Sequence, residues 1–117
     1  MNILKQDIGI FFKTREWAEK SWKEVMLFIP ESRIVRGRYK KTDEWIQYFP
    51  RYVRLDDGTK IRLIRLSKME DVDNFRDLKL DKIYYEPGLE NEREFIVDTY
   101  LKVCSNRRII RWELEND

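Results

Sequence analysis

The stretch NFRDLKLDKIYYEPG, Asn74–Gly88, contains a short apolar run, IYY, that leads directly into an acid and a proline. The segment KIYY within it has the length and composition of a buried strand. After the proline, the apolar residues of GLENEREFIVDTYLKVC recur at helical spacing, and RRIIRWEL predicts a further strand. A strand, a helix and a strand in this order predict a right-handed crossover and parallel pairing.

The N-terminal region predicts a strand and a helix of its own. DIGIFF, Asp7–Phe12, is a short, mostly apolar run of the kind found in strands that are buried on both faces. In the segment KTREWAEKSWKEVMLFI, which follows, the apolar residues fall on one helical face. Thr14 can cap this helix at its start, and Pro30 ends it.

The residues between these two units predict an antiparallel hairpin. SRIVRGRYK and the residues around Tyr52–Leu55 predict strands, and KIRLIRL alternates as a strand does. The turn DDGT, Asp56–Thr59, joins the last two strands, because Asp-Gly tolerates the positive φ of tight turns. We therefore expect a single α/β domain over residues 1–117, in the order strand, helix, hairpin, strand, helix, strand. Its mixed sheet would have a parallel core and carry the hairpin at one edge.

Composition limits the chemistry. Lys and Arg number 24 against 22 Asp and Glu, so the net charge is only +2, and affinity for phosphates must come from local patches. Histidine is absent, which excludes His-based acid–base catalysis, Ser-His and Cys-His nucleophile pairs and the usual zinc sites. We predict no catalytic residue, no metal and no cofactor. The single Cys104 and the lack of a long apolar run favour the cytoplasm and not a membrane.

The order of these elements resembles the middle of the ATPase domain of phage terminase large subunits, the P-loop motors that package DNA. After DIGIFF, the residues that carry the resemblance are Thr14, Arg15, Ala18, Trp22 and Pro30. The hairpin DDGTKIRLI and the segment RDLKLDKIYYEP, Arg76–Pro87, then match the family's hairpin and its loop into the Walker B strand. The resemblance implies a truncated P-loop-ATPase-like fold over about residues 7–112.

The departures from that family concern its chemistry. The resemblance starts downstream of the family's P-loop, and no GxxxxGK(S/T) motif occurs in the sequence. Where the family has a Mg²⁺-holding Asp and a water-activating Glu, this sequence has Glu86 and Pro87. Phosphoryl transfer depends on positioning and charge neutralisation, so a chain without these groups should be inert. The alternative is that KIYYEP is an ordinary buried strand.

Basic residues cluster in the hairpin region and near the C-terminus, with aromatic residues among them. Arg binds phosphates, neighbouring rings stack on bases, and ligands collect outside the carboxyl ends of parallel strands. These rules predict one binding face with the candidate residues Arg36, Arg38, Arg54, Arg62, Tyr85, Asn91, Arg108, Arg111 and Trp112. The alternative is that the arginines pair with the abundant Asp and Glu on solvated faces.

Two function classes follow, and an enzyme is the least favoured third. In the first, the resemblance implies a phage or prophage protein that counters host defence by capturing a phosphate-bearing nucleotide. The chain is similar in size and general chemistry to phage proteins that sequester the cyclic ADP-ribose-type signals of Thoeris defence. In the second, it is an inactive terminase-like module that binds nucleic acid or docks on a motor or nuclease. A host defence protein is a possible partner, and the aromatic cluster DEWIQYFPRY favours a homo-oligomer.

Overall fold

A computed structural model of the chain describes residues 6–40, 51–66, 80–89 and 109–114. Its helix and strands are β1 (Asp7–Phe12), α1 (Arg15–Phe28), β2 (Ile34–Arg38), β3 (Arg51–Leu55), β4 (Lys60–Arg65), β5 (Lys82–Tyr85) and β6 (Ile109–Arg111), with a short 3₁₀ turn at Glu31–Arg33 before β2. The predicted strands, hairpin and first helix are confirmed. The helix predicted after Gly88 lies outside the described residues, and so do residues 67–79, for which the sequence predicts a loop or a short helix.

Six strands form one mixed sheet in the order β2-β3-β4-β1-β5-β6. Strand β1 pairs in parallel with both β4 and β5, and β5 pairs in parallel with β6. Strands β2 and β3, and β3 and β4, pair antiparallel. This confirms an α/β fold with a parallel core and an antiparallel extension at one edge. The IYY run lies in β5, between β1 and β6.

Helix α1 covers one face of the sheet. Its buried residues Ala18 and Trp22 pack on the alternate residues of β1, β3 and β4 that point towards it, which are Ile10, Phe12, Val53, Leu55, Ile61 and Leu63. The Thr14 side chain caps the helix by accepting a hydrogen bond from the Trp17 N–H at 3.4 Å. At the far end of this face, the Trp112 ring packs edge-on against Trp17, with ring centroids 5.8 Å apart. No helix in the described ranges is long and apolar enough to cross a membrane.

The opposite face of the sheet has two different halves. On the parallel half its central residues are apolar and buried, with Phe11, Ile64 and Ile83 at most 1% exposed. On the antiparallel half the corresponding residues of β2, β3 and β4 are polar and only partly covered. The alternation of each strand decides this division, because the apolar residues of β3, and Ile61 and Leu63 of β4, lie on the α1 side.

The β3–β4 turn is fixed by its own charges. Gly58 has a φ of 91°, as the Asp-Gly turn prediction requires. Arg33 forms ion pairs with Asp56 and Asp57, each at 3.2 Å. Hydrogen bonds from Thr59, first from its backbone N–H at 2.9 Å, together with the nearby Arg33 charge, hold the pKa of Asp57 below its ordinary value.

Candidate functional site

A row of three cations crosses the antiparallel half of the sheet. Arg36 of β2 lies opposite Arg54 of β3, and Arg54 lies opposite Lys60 of β4. Residues that lie directly opposite each other on paired strands share a face of the sheet, with Cβ atoms about 4.5–5.5 Å apart. We call Arg36, Arg54 and Lys60 the cation row.

A second row runs beside the first, two residues along each strand. Arg38 lies opposite Tyr52, and Tyr52 lies opposite Arg62. The two rows are about 7 Å apart, because each residue of a strand advances the chain by about 3.3 Å. Together the two rows form what we call the basic face: Arg36, Arg38, Tyr52, Arg54, Lys60 and Arg62.

The cations of the basic face differ from most of the described arginines because their side chains have no ion-pair or hydrogen-bond partners within the described ranges. Arg36 and Arg54 are exposed, and the other residues of the face are half-buried. Within the described ranges, none of the five cations forms an ion pair or side-chain hydrogen bond, whereas cations elsewhere do form ion pairs. Those pairs are Arg15–Glu19, Lys20–Glu16, Arg33–Asp56, Arg33–Asp57 and Arg111–Glu113. The interpretation as solvated ion pairs therefore fits those residues and does not fit the basic face.

Two carboxylates mark one margin of the basic face. Asp7 of β1 lies opposite Lys60, at the end of the cation row. Its backbone N–H donates a hydrogen bond to Asp81 Oδ2 at 2.8 Å, which holds Asp81 next to it. In the neighbouring row, β1 presents Gly9 opposite Arg62. The face is thus bounded by acids at one corner and by the buried apolar half of the sheet at the other.

An irregularity in β2 turns its arginines onto the basic face. Ile34 pairs with Leu55, which faces α1, whereas Arg36, two positions later, pairs with Arg54 on the other side. The register shift between Ile34 and Arg36 is a β-bulge, and it lets Ile34 pack on the core while the following arginines point away. Gly37 completes this geometry, because a Cβ at this position would lie 2.4 Å from the Tyr52 carbonyl oxygen.

The nine residues predicted to bind a ligand do not form one surface. Arg36, Arg38, Arg54 and Arg62 come together on the basic face. Three others, Tyr85, Arg111 and Trp112, lie at the carboxyl ends of β5 and β6, towards the opposite edge of the sheet from β2. The remaining two, Asn91 and Arg108, lie outside the described residues.

The three residues near β5 and β6 have contacts of their own. Arg111 pairs with Glu113. The Trp112 ring packs on Tyr84 at a centroid distance of 5.6 Å, and on Trp17 as described above. Trp112 is therefore an anchor between the sheet and α1, as tryptophans most often are.

Sequence reasoning missed two members of the basic face. Lys60 has the same parity along β4 as Arg62, so the alternation of KIRLIR could have placed both on one side. Tyr52 was assigned to an aromatic self-association cluster. Its parity with Arg54 on β3 is the signal that places it beside the arginines.

A second candidate is an open cleft of about 1010 Å³ at the carboxyl ends of the parallel strands. It lies along α1, and its described lining is Thr14, Glu16, Trp17, Lys20, Lys23, Glu24, Leu27, Glu86, Pro87, Glu113 and Leu114. Four of these residues are acidic and two are basic. An excess of carboxylates repels phosphate, so this cleft is a poor site for a nucleotide.

Within this cleft, Glu86 links the residue after β5 to the residues before α1 by hydrogen bonds. Its Oε1 accepts hydrogen bonds from the backbone N–H groups of Lys13 and Thr14, both at 2.9 Å, and its Oε2 accepts one from Thr14 Oγ1 at 3.0 Å. The carboxylate thus occupies amide groups at the start of α1 that could otherwise attract an anion. In the described part of the chain, no three acidic or thiol side chains are grouped so as to hold a metal ion.

No family model, no curated protein and no solved structure matches this chain. The function is therefore argued from the residues of the basic face and of the cleft.

Proposed function

We propose that this chain is a non-catalytic binding protein whose basic face holds the phosphate backbone of a nucleic acid. The cation row carries the proposal. Arg36, Arg54 and Lys60 lie side by side on three neighbouring strands, and none of them has an ion-pair partner within the described residues.

This arrangement is costly for the free protein. Like charges directly opposite each other on paired strands are destabilising. In the cation row, Arg54 has such a neighbour on each side. A polyanion laid across the row would neutralise all three charges at once and release its own condensed counterions. A ligand with regularly repeated negative charges therefore fits the row better than a single phosphate does.

The residue types also favour a phosphate backbone. Four of the five cations on the basic face are arginines. The planar guanidinium donates two parallel hydrogen bonds to a phosphate and is more weakly hydrated than the lysine ammonium. An acidic protein surface offers the same charge without the same regular repeat, so it fits the cation row less well than a phosphate backbone does.

The geometry favours nucleic acid over a captured small nucleotide. Sites for small ligands are concave and bury most of the ligand. The residues of the basic face are exposed or half-buried on one side of a sheet, and none of them lines the described cleft. Of the two functions inferred from sequence, we therefore propose the nucleic-acid module. A phage origin, a counter-defence role, a homo-oligomer and a location in the host cytoplasm stay predictions.

The contacts of Glu86 support an inactive terminase-like module. The resemblance would place a metal-holding carboxylate at this position. Here the carboxylate accepts three hydrogen bonds from Lys13 and Thr14, and Pro87 follows it. A side chain committed to these donors has little capacity left for a metal, and proline cannot orient a water.

The test is fluorescence anisotropy with labelled DNA and RNA of about 20 nucleotides, measured between about 50 and 200 mM salt. We expect affinity to fall steeply with salt, with a log–log slope of about −3 to −4 if four or five phosphates are contacted. Arg54→Ala should weaken binding and reduce that slope by about one. Lys23→Ala is the matched control, because it removes one exposed charge from α1. An affinity that does not depend on salt concentration would contradict the proposal, and so would an equal loss of affinity in Arg54→Ala and Lys23→Ala.

A further inference from the structure

We infer that the nucleic acid held by the basic face is single-stranded and that one of its bases stacks on the ring of Tyr52. This inference rests on the proposed function and names its substrate class. It is carried by the second row of the face, in which an aromatic ring lies between two guanidinium groups.

Tyr52 occupies the centre of the basic face. It lies on β3, the middle of the three antiparallel strands, with Arg38 opposite it on one side and Arg62 on the other. Its side chain is half-buried, and its hydroxyl has no hydrogen bond within the described residues. A buried tyrosine usually finds a partner for its hydroxyl, so this ring is not held by a polar anchor.

The spacing of the two rows suits one nucleotide. The cation row lies about 7 Å from the Tyr52 row, because the two are separated by two residues along each strand. A backbone that follows Arg36, Arg54 and Lys60 across the strands can extend a base along the strand direction onto Tyr52. Arg38 and Arg62 would flank that base, and arginine planes also stack on bases.

Only a single strand can use this arrangement. In a duplex the faces of the bases are stacked on one another, and the protein meets the phosphates and the base edges. A single strand presents open base faces, which stack on aromatic side chains with little dependence on sequence. Removing such a ring weakens binding by roughly five- to a hundredfold per base. We therefore expect a preference for single strands and little preference among bases.

The experiment compares Tyr52→Leu, Tyr52→Phe and the unaltered chain by anisotropy on a single strand, on a duplex of the same length and on heparin. Heparin is a polyanion without bases. We expect Tyr52→Leu to weaken single-strand binding by roughly tenfold and Tyr52→Phe by less than about twofold. Neither variant should alter heparin or duplex affinity by more than about twofold, because the phosphate contacts remain.

Tyr39→Leu is the matched control. It removes a tyrosine that lies outside the basic face and whose hydroxyl donates to Glu31 Oε1 at 3.1 Å. It should leave single-strand affinity unchanged. Melting temperatures of all variants identify any that are unfolded. If Tyr52→Leu is unfolded, the unaltered chain and Tyr52→Phe are each measured on an intact strand and on a strand that carries abasic sites, and both should bind the abasic strand more weakly, because it has fewer bases to stack on the ring.

The outcomes separate the inference from the proposed function. If Tyr52→Leu binds single strands as the unaltered chain does, while Arg54→Ala binds them more weakly, the stacking inference fails and the proposed function stands. If Tyr52→Leu weakens heparin binding equally, the ring serves only the shape of the face and the inference fails. If the unaltered chain binds none of the three polyanions, both fail.

Discussion

Thr14 donates two hydrogen bonds to Glu86, which lies 72 positions later in the chain: one from its backbone N–H at 2.9 Å and one from its hydroxyl at 3.0 Å. The contact ties the end of β5 to the start of α1, and Lys13 adds a third hydrogen bond from its N–H. The Glu86 side chain, which resembles a catalytic carboxylate, therefore has a structural role, and we call its three hydrogen bonds the Glu86 brace. Its loss should affect folding before it affects any binding.

Glu86→Ala should lower the free energy of unfolding by about 2–4 kcal/mol, because it leaves partly buried donors without their acceptor. Glu86→Gln, which retains one acceptor oxygen, should cost about half as much. The measurement is urea unfolding followed by tryptophan fluorescence. Glu24→Ala removes an exposed carboxylate from the same cleft and should change stability by less than about 0.5 kcal/mol. Equal stabilities for Glu86→Ala and Glu24→Ala would show that the brace is not needed.

Gly37→Ala should destabilise the protein and weaken its binding to nucleic acid. Gly37 has a φ of 154°, and an added Cβ would meet the Tyr52 carbonyl oxygen at 2.4 Å and Val53 Cα at 2.8 Å. The clash is with backbone atoms, so β2 has to move away from β3 and take Arg36 and Arg38 with it. We expect a loss of about 1–3 kcal/mol.

The control for Gly37→Ala is Gly88→Ala. Gly88 has a φ of 104°, and nothing lies within 4 Å of an added Cβ. This variant carries backbone strain without the clash and lies away from β2, so it should lower the melting temperature while leaving binding to a labelled strand intact. If Gly37→Ala bound as tightly as the unaltered chain, the position of β2 would not matter for the basic face.

The sequence predicted the elements whose signals are local. The helix prediction of KTREWAEKSWKEVMLFI agrees with α1 (Arg15–Phe28), because Thr14 and Pro30 delimit an amphipathic run. The DDGT turn and the parallel pairing of KIYY with RRIIRWEL were likewise predicted. The direction of the β2 arginines was not, because alternation alone puts Ile34, Arg36 and Arg38 on one side. Only the bulge, which depends on pairing with β3, puts Ile34 on one face of the sheet and the two arginines on the other.

The residues predicted to form one binding face lie in two separate places. The sequence did not predict this separation, because it too depends on how the strands pair. The rule about carboxyl ends of strands correctly grouped Tyr85 with Arg111. It took no account of sheet order, which puts β2 and β6 at opposite edges. The packing of Trp112 against Trp17 was also beyond the sequence, because it joins residues 95 positions apart in the chain whose contact depends on the whole sheet.

The free energy of unfolding should fall in acid, because Asp57 becomes protonated. Hydrogen bonds from Thr59, and then the nearby Arg33 charge, hold the pKa of Asp57 below the ordinary value of 3.8. A carboxyl whose folded pKa is depressed contributes stability that is fully present above the unfolded pKa and is lost as pH falls through the folded one. The contribution should therefore be present at neutral pH and disappear below about pH 3.8.

The measurement is urea unfolding of the unaltered chain and of Asp57→Asn at a series of pH values from neutral to about 2.5. The stability difference between the two should be largest near neutral pH and should shrink in acid. Asp56→Asn, which removes the other partner of Arg33, controls for loss of the ion pair alone. A difference that stayed constant across the series would show that Asp57 does not titrate with folding.

Arg54→Gln should make the free protein more stable while it makes the complex weaker. Arg54 has Arg36 opposite it on one side and Lys60 on the other, without a described carboxylate partner. Replacing it with a neutral side chain removes two like-charge neighbours, which should raise the free energy of unfolding by about 0.2–1 kcal/mol at low salt. The gain should fade as salt rises above about 0.5 M, because the charges are then screened within a few ångströms.

Arg33→Gln is the matched comparison for this effect, since Arg33 pairs with two carboxylates and its loss should lower stability at low salt. Urea unfolding of both variants in low and high salt, beside anisotropy with a labelled single strand, measures stability and binding on the same preparations. Opposite signs for the two arginines at low salt, with weaker binding for Arg54→Gln alone, would mean that the basic face gives up stability for its ligand. If Arg54→Gln lost stability at low salt as Arg33→Gln does, Arg54 would have a stabilising partner, and the cation row would be an ordinary solvated surface.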